Sequence, residues 1–161
     1  MRWIVMTSCC FTGHRFKGDV PELELTAITA IEKLIADGVT DFYCGGAYGF
    51  DILCGMCVLK LREKYPDIKL HMVLPCPPEM QCSRWVESDK LRYRKLVDNA
   101  DTVEIAGEHN SADCMKVRNT RLVELSEVCL CYFRPTRTRS GTAQTIRMAQ
   151  NKRIDIINLY R

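Results

Sequence analysis

The sequence has no apolar run approaching the ~20 residues that cross a bilayer, so no membrane association is expected. It has no internal repeat, no linker and no low-complexity block. Net charge is slight: the formal balance is +3, too small by itself to announce a nucleic-acid partner. Nine Gly and six Pro, beside 47% apolar and 27% charged residues, exclude collagen-like, low-complexity and disordered chains. No Gly-Lys-Ser/Thr occurs, hence no P-loop, and no G-x-G-x-x-G dinucleotide fingerprint. Cys54-x-x-Cys57 has no second C-x-x-C beside it. A structural zinc site needs four ligands at suitable spacing, so no metal is expected.

What remains is an ordinary single-core composition. A chain of 161 residues suits one domain that buries roughly two-thirds of its unfolded surface, and residues 1–161 read as one domain. The stretch from Trp3 to Phe11 is apolar but interrupted by Thr7 and Ser8. It lacks a small-residue cleavage pattern and reads as a buried strand of a cytoplasmic protein rather than a secretory segment. The ten Cys are then expected to be reduced, most of them small core hydrophobes. Charge is uneven, net −2 over residues 1–80 and +5 over 81–161, which suits an anionic partner or simply a solvated surface.

Short apolar runs alternate with helical patterns. Strands are expected at Cys9–Phe11, Asp41–Cys44, Ile68–Leu74, Thr102–Ile105, Val128–Phe133 and Ile154–Ile157. Helices are expected at Pro21–Ala36, Phe50–Lys64, Ser88–Ala100, Asp113–Ser126 and Ser140–Lys152. Their inward residues include Leu25, Ile28, Ile31, Leu34 and Ile35, then Ile52, Leu53, Met56 and Leu59, then Leu91, Leu96 and Val97. Strands that are apolar throughout, alternating with helices, give an α/β fold. The expectation is a doubly wound, mostly parallel Rossmann-like sheet of five to six strands with helices on both faces.

Ligands of such sheets sit beyond the carboxyl ends of the strands. Three polar, glycine-bearing loops fall there. The first is Thr12-Gly13-His14-Arg15, the second Gly45-Gly46-Ala47-Tyr48-Gly49-Phe50-Asp51, and the third runs from Arg134 to Ser140-Gly141-Thr142. Glycine lets backbone N–H groups approach an anion, and a helix N-terminus adds unpaired N–H groups. Arg15, Arg134, Arg137 and Arg139 supply forked donors suited to phosphate, and Ser140 and Thr142 cap the helix or donate hydroxyls. Asp51 either favours its helix N-terminus, bonds a ribose hydroxyl or acts as a base. His14 either bonds a phosphate or caps a turn. Gln81, Trp85, Asp89 and Tyr93, spaced by four, line one stripe if the region is continuous helix. That stripe is either a base-stacking rim or a packing face. Arg118-Asn119 is a polar pair on a helix, either ligand-binding or solvated.

Taken together, Cys10-Phe11-Thr12-Gly13-His14-Arg15, Gly45-Gly46-Ala47-x-Gly49-x-Asp51, Pro75-Cys76, the Gln81/Trp85/Asp89/Tyr93 spacing, Cys114-Met115-x-x-Arg118-Asn119 and Ser140-Gly141-Thr142-Ala143 resemble the YpsA-like family of the SLOG superfamily. That superfamily of Rossmann-like proteins includes the LOG phosphoribohydrolases and the DprA/Smf single-strand DNA binders. The resemblance implies a nucleotide-derived ligand of NAD, ADP-ribose or nucleoside-phosphate type, held by the Gly45–Asp51 and Ser140–Thr142 loops, with no cofactor required for function. LOG enzymes carry P-G-G-x-G-T-x-x-E, whereas this chain has Thr145 at the place of the Glu. A threonine cannot move a proton as a carboxylate does, so catalysis would fall to Asp51 or Asp89.

The primary expectation is a binding protein for a small nucleotide-derived ligand. The alternatives are a hydrolase of an N-glycosidic or phosphate bond in that ligand, and a single-strand nucleic-acid binder. A polynucleotide is not the expected partner, because the basic residues form no long stripe interleaved with aromatics. A homodimer is expected only because closed dimers are the commonest assembly.

Overall fold

The computed structural model describes residues 5–161. The chain runs β1 (Ser8–Gly13), α1 (Pro21–Ala36), β2 (Asp41–Cys44), α2 (Phe50–Arg62), β3 (Lys69–Leu74), α3 (Pro78–Gln81), α4 (Glu87–Asn99), β4 (Thr102–Ile105), α5 (Ala112–Glu124), β5 (Val128–Tyr132), α6 (Gly141–Lys152) and β6 (Asp155–Asn158). The six strands form one sheet in the order β4-β3-β2-β1-β5-β6, and every pairing is parallel. Helices α1, α2 and α4 cover one face, and α5 and α6 the other. This is the doubly wound α/β sheet expected from the strand–helix alternation.

The local chemistry explains the elements. Pro21 opens α1, Glu22 and Glu24 sit in its first turn and Lys33 in its last, each matched to the helix dipole. Gly38, at φ 113°, follows its C-terminus. β1, β3 and β5 are buried along most of their length because helices lie on both sides, whereas the edge strand β4 is exposed throughout. Of the ten cysteines, nine are buried and Cys114 is half-buried, and all ten are free thiols. Burial pushes the thiols of Cys54 and Cys57 up, the latter to about 12, so this C-x-x-C packs as apolar volume rather than as a thiolate pair.

Several sequence expectations are corrected. Trp3 and Ile4 lie outside the described residues, Val5 is exposed, and β1 starts at Ser8 and continues through Gly13. Leu25 and Leu91 point outward, because α1 buries Leu23, Ala27, Ile31 and Leu34 while α4 buries Asp89, Tyr93 and Leu96. In α2 the core-facing set is Cys54, Cys57, Val58 and Leu61 as well as Ile52. Wedged between α1 and α4, this helix is buried on more than one side, which erases a single stripe. Helix does not run unbroken from Gln81 to Tyr93: the one-turn α3 ends at Gln81 and α4 begins at Glu87.

The chain order reverses between β1 and β5, the switch point where parallel sheets open a crevice. Gly49 brings the second loop to that point. It adopts φ 97°, ψ −125°, and a Cβ there would lie 2.5 Å from the Phe16 amide nitrogen. Gly18 also has positive φ (77°) but faces open space. Gly18→Ala is expected to lose about 1 kcal/mol, and Gly49→Ala about 3 kcal/mol or more, since strain and backbone collision add. Denaturant unfolding of the two variants side by side checks this; equal losses would show that the crossing of the two loops is not tight.

Candidate functional site

His14 stitches the carboxyl ends of the central elements together. Its backbone N–H donates to the Tyr132 carbonyl (3.1 Å), its own carbonyl accepts from the Phe50 N–H (3.3 Å), and its ring Nε2 accepts from the Arg134 N–H (2.7 Å). One residue after β1 thus ties down the end of β5, the start of α2 and the loop leading to α6. Because Nε2 accepts, the ring is neutral with its proton on Nδ1. Burial and then Arg137 and Arg134 pull its pKa below the usual histidine value.

Above this stitch lies a cavity of about 640 Å³, within the range of small-ligand sites. Its walls carry Arg15, Arg118, Arg137, Arg139 and Arg147 against a single carboxylate, Asp51. At its floor α6 begins. Ser140 Oγ accepts from the Ala143 N–H (3.0 Å), leaving the Gly141 and Thr142 amides at the open end of the helix. Thr142 is buried, lines the cavity, and its hydroxyl has no partner among the described residues.

Arg118 governs the geometry. It is only 5% exposed, and no carboxylate pairs with it among the described residues. Its Nη1 donates to the Gly45 carbonyl and its Nε to Asn119 Oδ1 (2.8 Å). Asn119 Nδ2 in turn donates to Gln144 Oε1 on α6 (3.3 Å). A Cβ on Gly45 would fall against the guanidinium, so the glycine makes the room this arginine needs. Arg118 Nη2 has no protein partner among the described residues. It is not sealed in, since among the described residues the one enclosed side-chain polar atom without a partner is Ser126 Oγ. Nη2 therefore keeps some exposure, on a residue that lines the cavity.

Asp51 sits one residue into α2, 5% exposed. Its Oδ2 accepts from the Ala47 N–H (3.3 Å), and Oδ1 is free toward the cavity. Burial raises its pKa to about 6, only partly opposed by Arg118, the Ala47 amide and Arg15. Its proton therefore exchanges close to neutral pH.

The structure gathers Gly13, His14, Arg15, Ala47, Asp51, Arg118, Asn119, Ser140, Gly141 and Thr142 around one cavity. Gly45, Gly46 and Gly49 shape it from behind: Gly45 through its carbonyl, Gly46 (φ 73°) and Gly49 through the turn. Arg134 is exposed and contributes its backbone to His14 rather than its guanidinium to the wall. Asp89 is not in the site. It is buried against Arg92 (3.1 Å), which also binds Asp19 (2.7 Å), so it anchors α4. Trp85 lies beyond Arg15 and Arg118, in the adjoining hollows. Thr145 is fully buried and bonds the Gly141 carbonyl (3.0 Å), a helix-internal role. Sequence reasoning missed Gln144 and Arg147. Their signal was the helical spacing from Ser140, which sets both on the turn facing the cavity. Among the described residues no cluster of His, Cys, Asp or Glu is placed to hold a metal, and no helix is long and apolar enough to cross a membrane.

The family model described as the YspA SLOG family matches residues 17–161. A UPF0398 protein of Staphylococcus haemolyticus is 30% identical over 108 residues, covering 62% of this chain and 57% of that protein. A UPF0398 protein of Bacillus pumilus is 28% identical over 125 residues, covering 74% of this chain and 66% of that protein. The chain thus spans about three-fifths of these relatives' length. DNA processing protein A from Helicobacter pylori, described for its single-stranded DNA binding mode, matches 96% of this chain and 66% of its own with a TM-score of 0.69 at 19% identity. At that identity the match establishes the shared fold. The family resemblance read from the motifs is borne out, while the expectation against a nucleic-acid partner gains no support from this neighbour.

The raised Asp51 pKa has a definite thermodynamic sign. A carboxyl that is harder to ionise when folded favours the native state while protonated and loses that contribution as pH climbs through about 6. Between pH 4 and pH 7 the wild type is expected to lose on the order of 3 kcal/mol relative to Asp51→Asn, at 1.36 kcal/mol per pKa unit. Urea unfolding of both proteins across that window checks this. Parallel profiles would mean that Asp51 is solvated.

Proposed function

The chain belongs to the YspA SLOG family, and we propose that it binds a phosphorylated, nucleotide-derived small molecule of the NAD, ADP-ribose or nucleoside-phosphate type. The observation that carries this reading is the buried guanidinium of Arg118, which lines the cavity and makes no ion pair among the described residues. Burying a cation that forms no ion pair is costly; Asp51 offsets this only at a distance, and an anionic group bound in the cavity would complete the balance. The α6 amides of Gly141 and Thr142, the Thr142 hydroxyl and Arg139 converge on the same space. Asp51, acceptor-only when ionised, suits the sugar hydroxyls next to such a phosphate.

A second reading rests on Asp51 alone. A carboxyl with pKa about 6 and one free oxygen in an arginine-lined cavity has the properties of a general acid or base for cleaving a glycosidic bond in that ligand. A single-stranded nucleic acid would also find the arginines. The neighbouring aromatics Tyr48 and Trp85, however, meet edge to face at 72° and offer no run of parallel stacking platforms.

Calorimetric titration with NAD, ADP-ribose, AMP and inorganic pyrophosphate tests the binding reading. At least one is expected to bind, with affinity falling as salt rises. Arg118→Gln should weaken it tenfold or more (about 1.4 kcal/mol). Arg139→Ala, at an exposed position that leaves folding intact, should weaken it severalfold. No heat and no thermal shift with any of the four would overturn the proposal. Chromatography of the same nucleotides after incubation with wild type and Asp51→Asn decides the second reading: equal turnover by both removes Asp51 as the base.

A further inference from the structure

The arginine-lined cavity does not end at Arg15 and Arg118. Those two residues, with Ala47 and Met115, also wall a narrow hollow of about 50 Å³ that touches Gln81, Trp85 and Asn110. Those last three residues line a third hollow of about 570 Å³, beside His109, Arg84 and Met80. Three hollows therefore share walls in series, from the N-terminus of α6, past the two arginines, to Trp85.

The chemistry changes along that line. The first hollow is a concentration of guanidinium groups and open amides. Beside the charged Glu79 and Arg84, the third offers an indole, a polarisable thioether, an imidazole and the Asn110 carboxamide, groups that hold a planar heterocycle by stacking and edge hydrogen bonds. The indole is also held in place. Trp85 packs edge to face on Tyr48 (5.4 Å) and on Tyr93 (5.1 Å). Tyr93 Oη donates to Gln81 Oε1 (2.6 Å), and Gln81 Nε2 donates to the Gly45 carbonyl (3.1 Å). That carbonyl is the one Arg118 grips. Arg15, in turn, lies over the Tyr48 ring at 5.3 Å. The ring platform and the phosphate-facing arginines are thus fixed to one backbone oxygen and one tyrosine, so their separation is preset before any ligand arrives.

We infer that the Trp85 hollow is a second subsite of the same ligand, taking an aromatic ring whose phosphate-bearing end lies in the arginine cavity and whose linker passes Arg15 and Arg118. The inference rests on the phosphate-ligand reading above and narrows it. A free sugar phosphate or inorganic phosphate would fill only the first hollow, whereas a dinucleotide, with a nucleoside on each side of its pyrophosphate, fills both. A polynucleotide is not needed to account for a line of three hollows with a single ring platform.

The test uses the protein carrying Trp3→Phe, which leaves Trp85 as the sole tryptophan reporter. NAD, diadenosine diphosphate and inorganic pyrophosphate are titrated by calorimetry and by Trp85 fluorescence. At least one dinucleotide is expected to bind tenfold or more tightly than pyrophosphate and to quench Trp85, while pyrophosphate leaves the emission unchanged. Trp85→Ala should cut the dinucleotide affinity about tenfold and leave pyrophosphate within twofold; Trp85→Phe, which keeps a ring, should restore most of it. Pyrophosphate binding with no dinucleotide preference, or a dinucleotide affinity indifferent to Trp85→Ala, would overturn the subsite while leaving the phosphate reading intact. Binding of neither would overturn both. A short oligothymidylate that quenches Trp85 and outcompetes both dinucleotides would replace the subsite with a single-strand groove.

Discussion

The site is organised by one guanidinium held out of water. A buried arginine is tolerated only when its donors are used, and Arg118 uses them on the Gly45 carbonyl and the Asn119 side chain. Through those two partners it joins the loop after β2, helix α5 and, by way of Gln144, helix α6. Burial weakens its hold on its proton, and the nearby carboxylate of Asp51 resists that effect. No carboxylate closes an ion pair on it among the described residues, so its field is directed into the cavity rather than cancelled at its source.

That arrangement exists because the sheet reverses order next to β1. Loops leaving β1 and β5 diverge to opposite faces, and the gap between them has no helix to fill it. His14 keeps the gap at a defined width. Its two backbone bonds extend the β1–β5 ladder and catch α2, and its ring takes a backbone donor from the third loop. The aromatic cluster underneath, with Phe50 stacked on Tyr132 at 5.8 Å, gives the stitch a rigid base. Just past β5, the side chain of Asn158 clamps both backbone groups of Phe133.

Much of this was legible in advance, and the limits are physical. Most strand and helix positions followed from apolar runs and helical spacing to within one or two residues, as at Asp41–Cys44 and Pro21–Ala36, whereas the strand read from Trp3 begins only at Ser8 and the one-turn α3 left no periodic signal. The inward faces were harder. A stripe such as Leu53, Met56 and Leu59 looks decisive until the helix is wedged between two others and its opposite side is the more deeply buried one. Asp89 and Asp51 were indistinguishable as carboxylates in the sequence. They differ because Arg92 neutralises the first, while the second faces a cavity.

By itself the sequence determined the α/β alternation, the parallel sheet and the family, because periodicity and short glycine motifs are local properties that survive without knowledge of contacts. It also identified three loops able to receive an anion. Only the tertiary structure decided which of their groups face one another. Gly45 serves by omitting a Cβ where Arg118 must lie, Arg134 serves through its amide rather than its charge, and Trp85 stands past the arginines in a hollow of its own. Those assignments depend on distances between residues more than seventy positions apart in the chain, as with Gly45 and Arg118, and no local pattern encodes such distances.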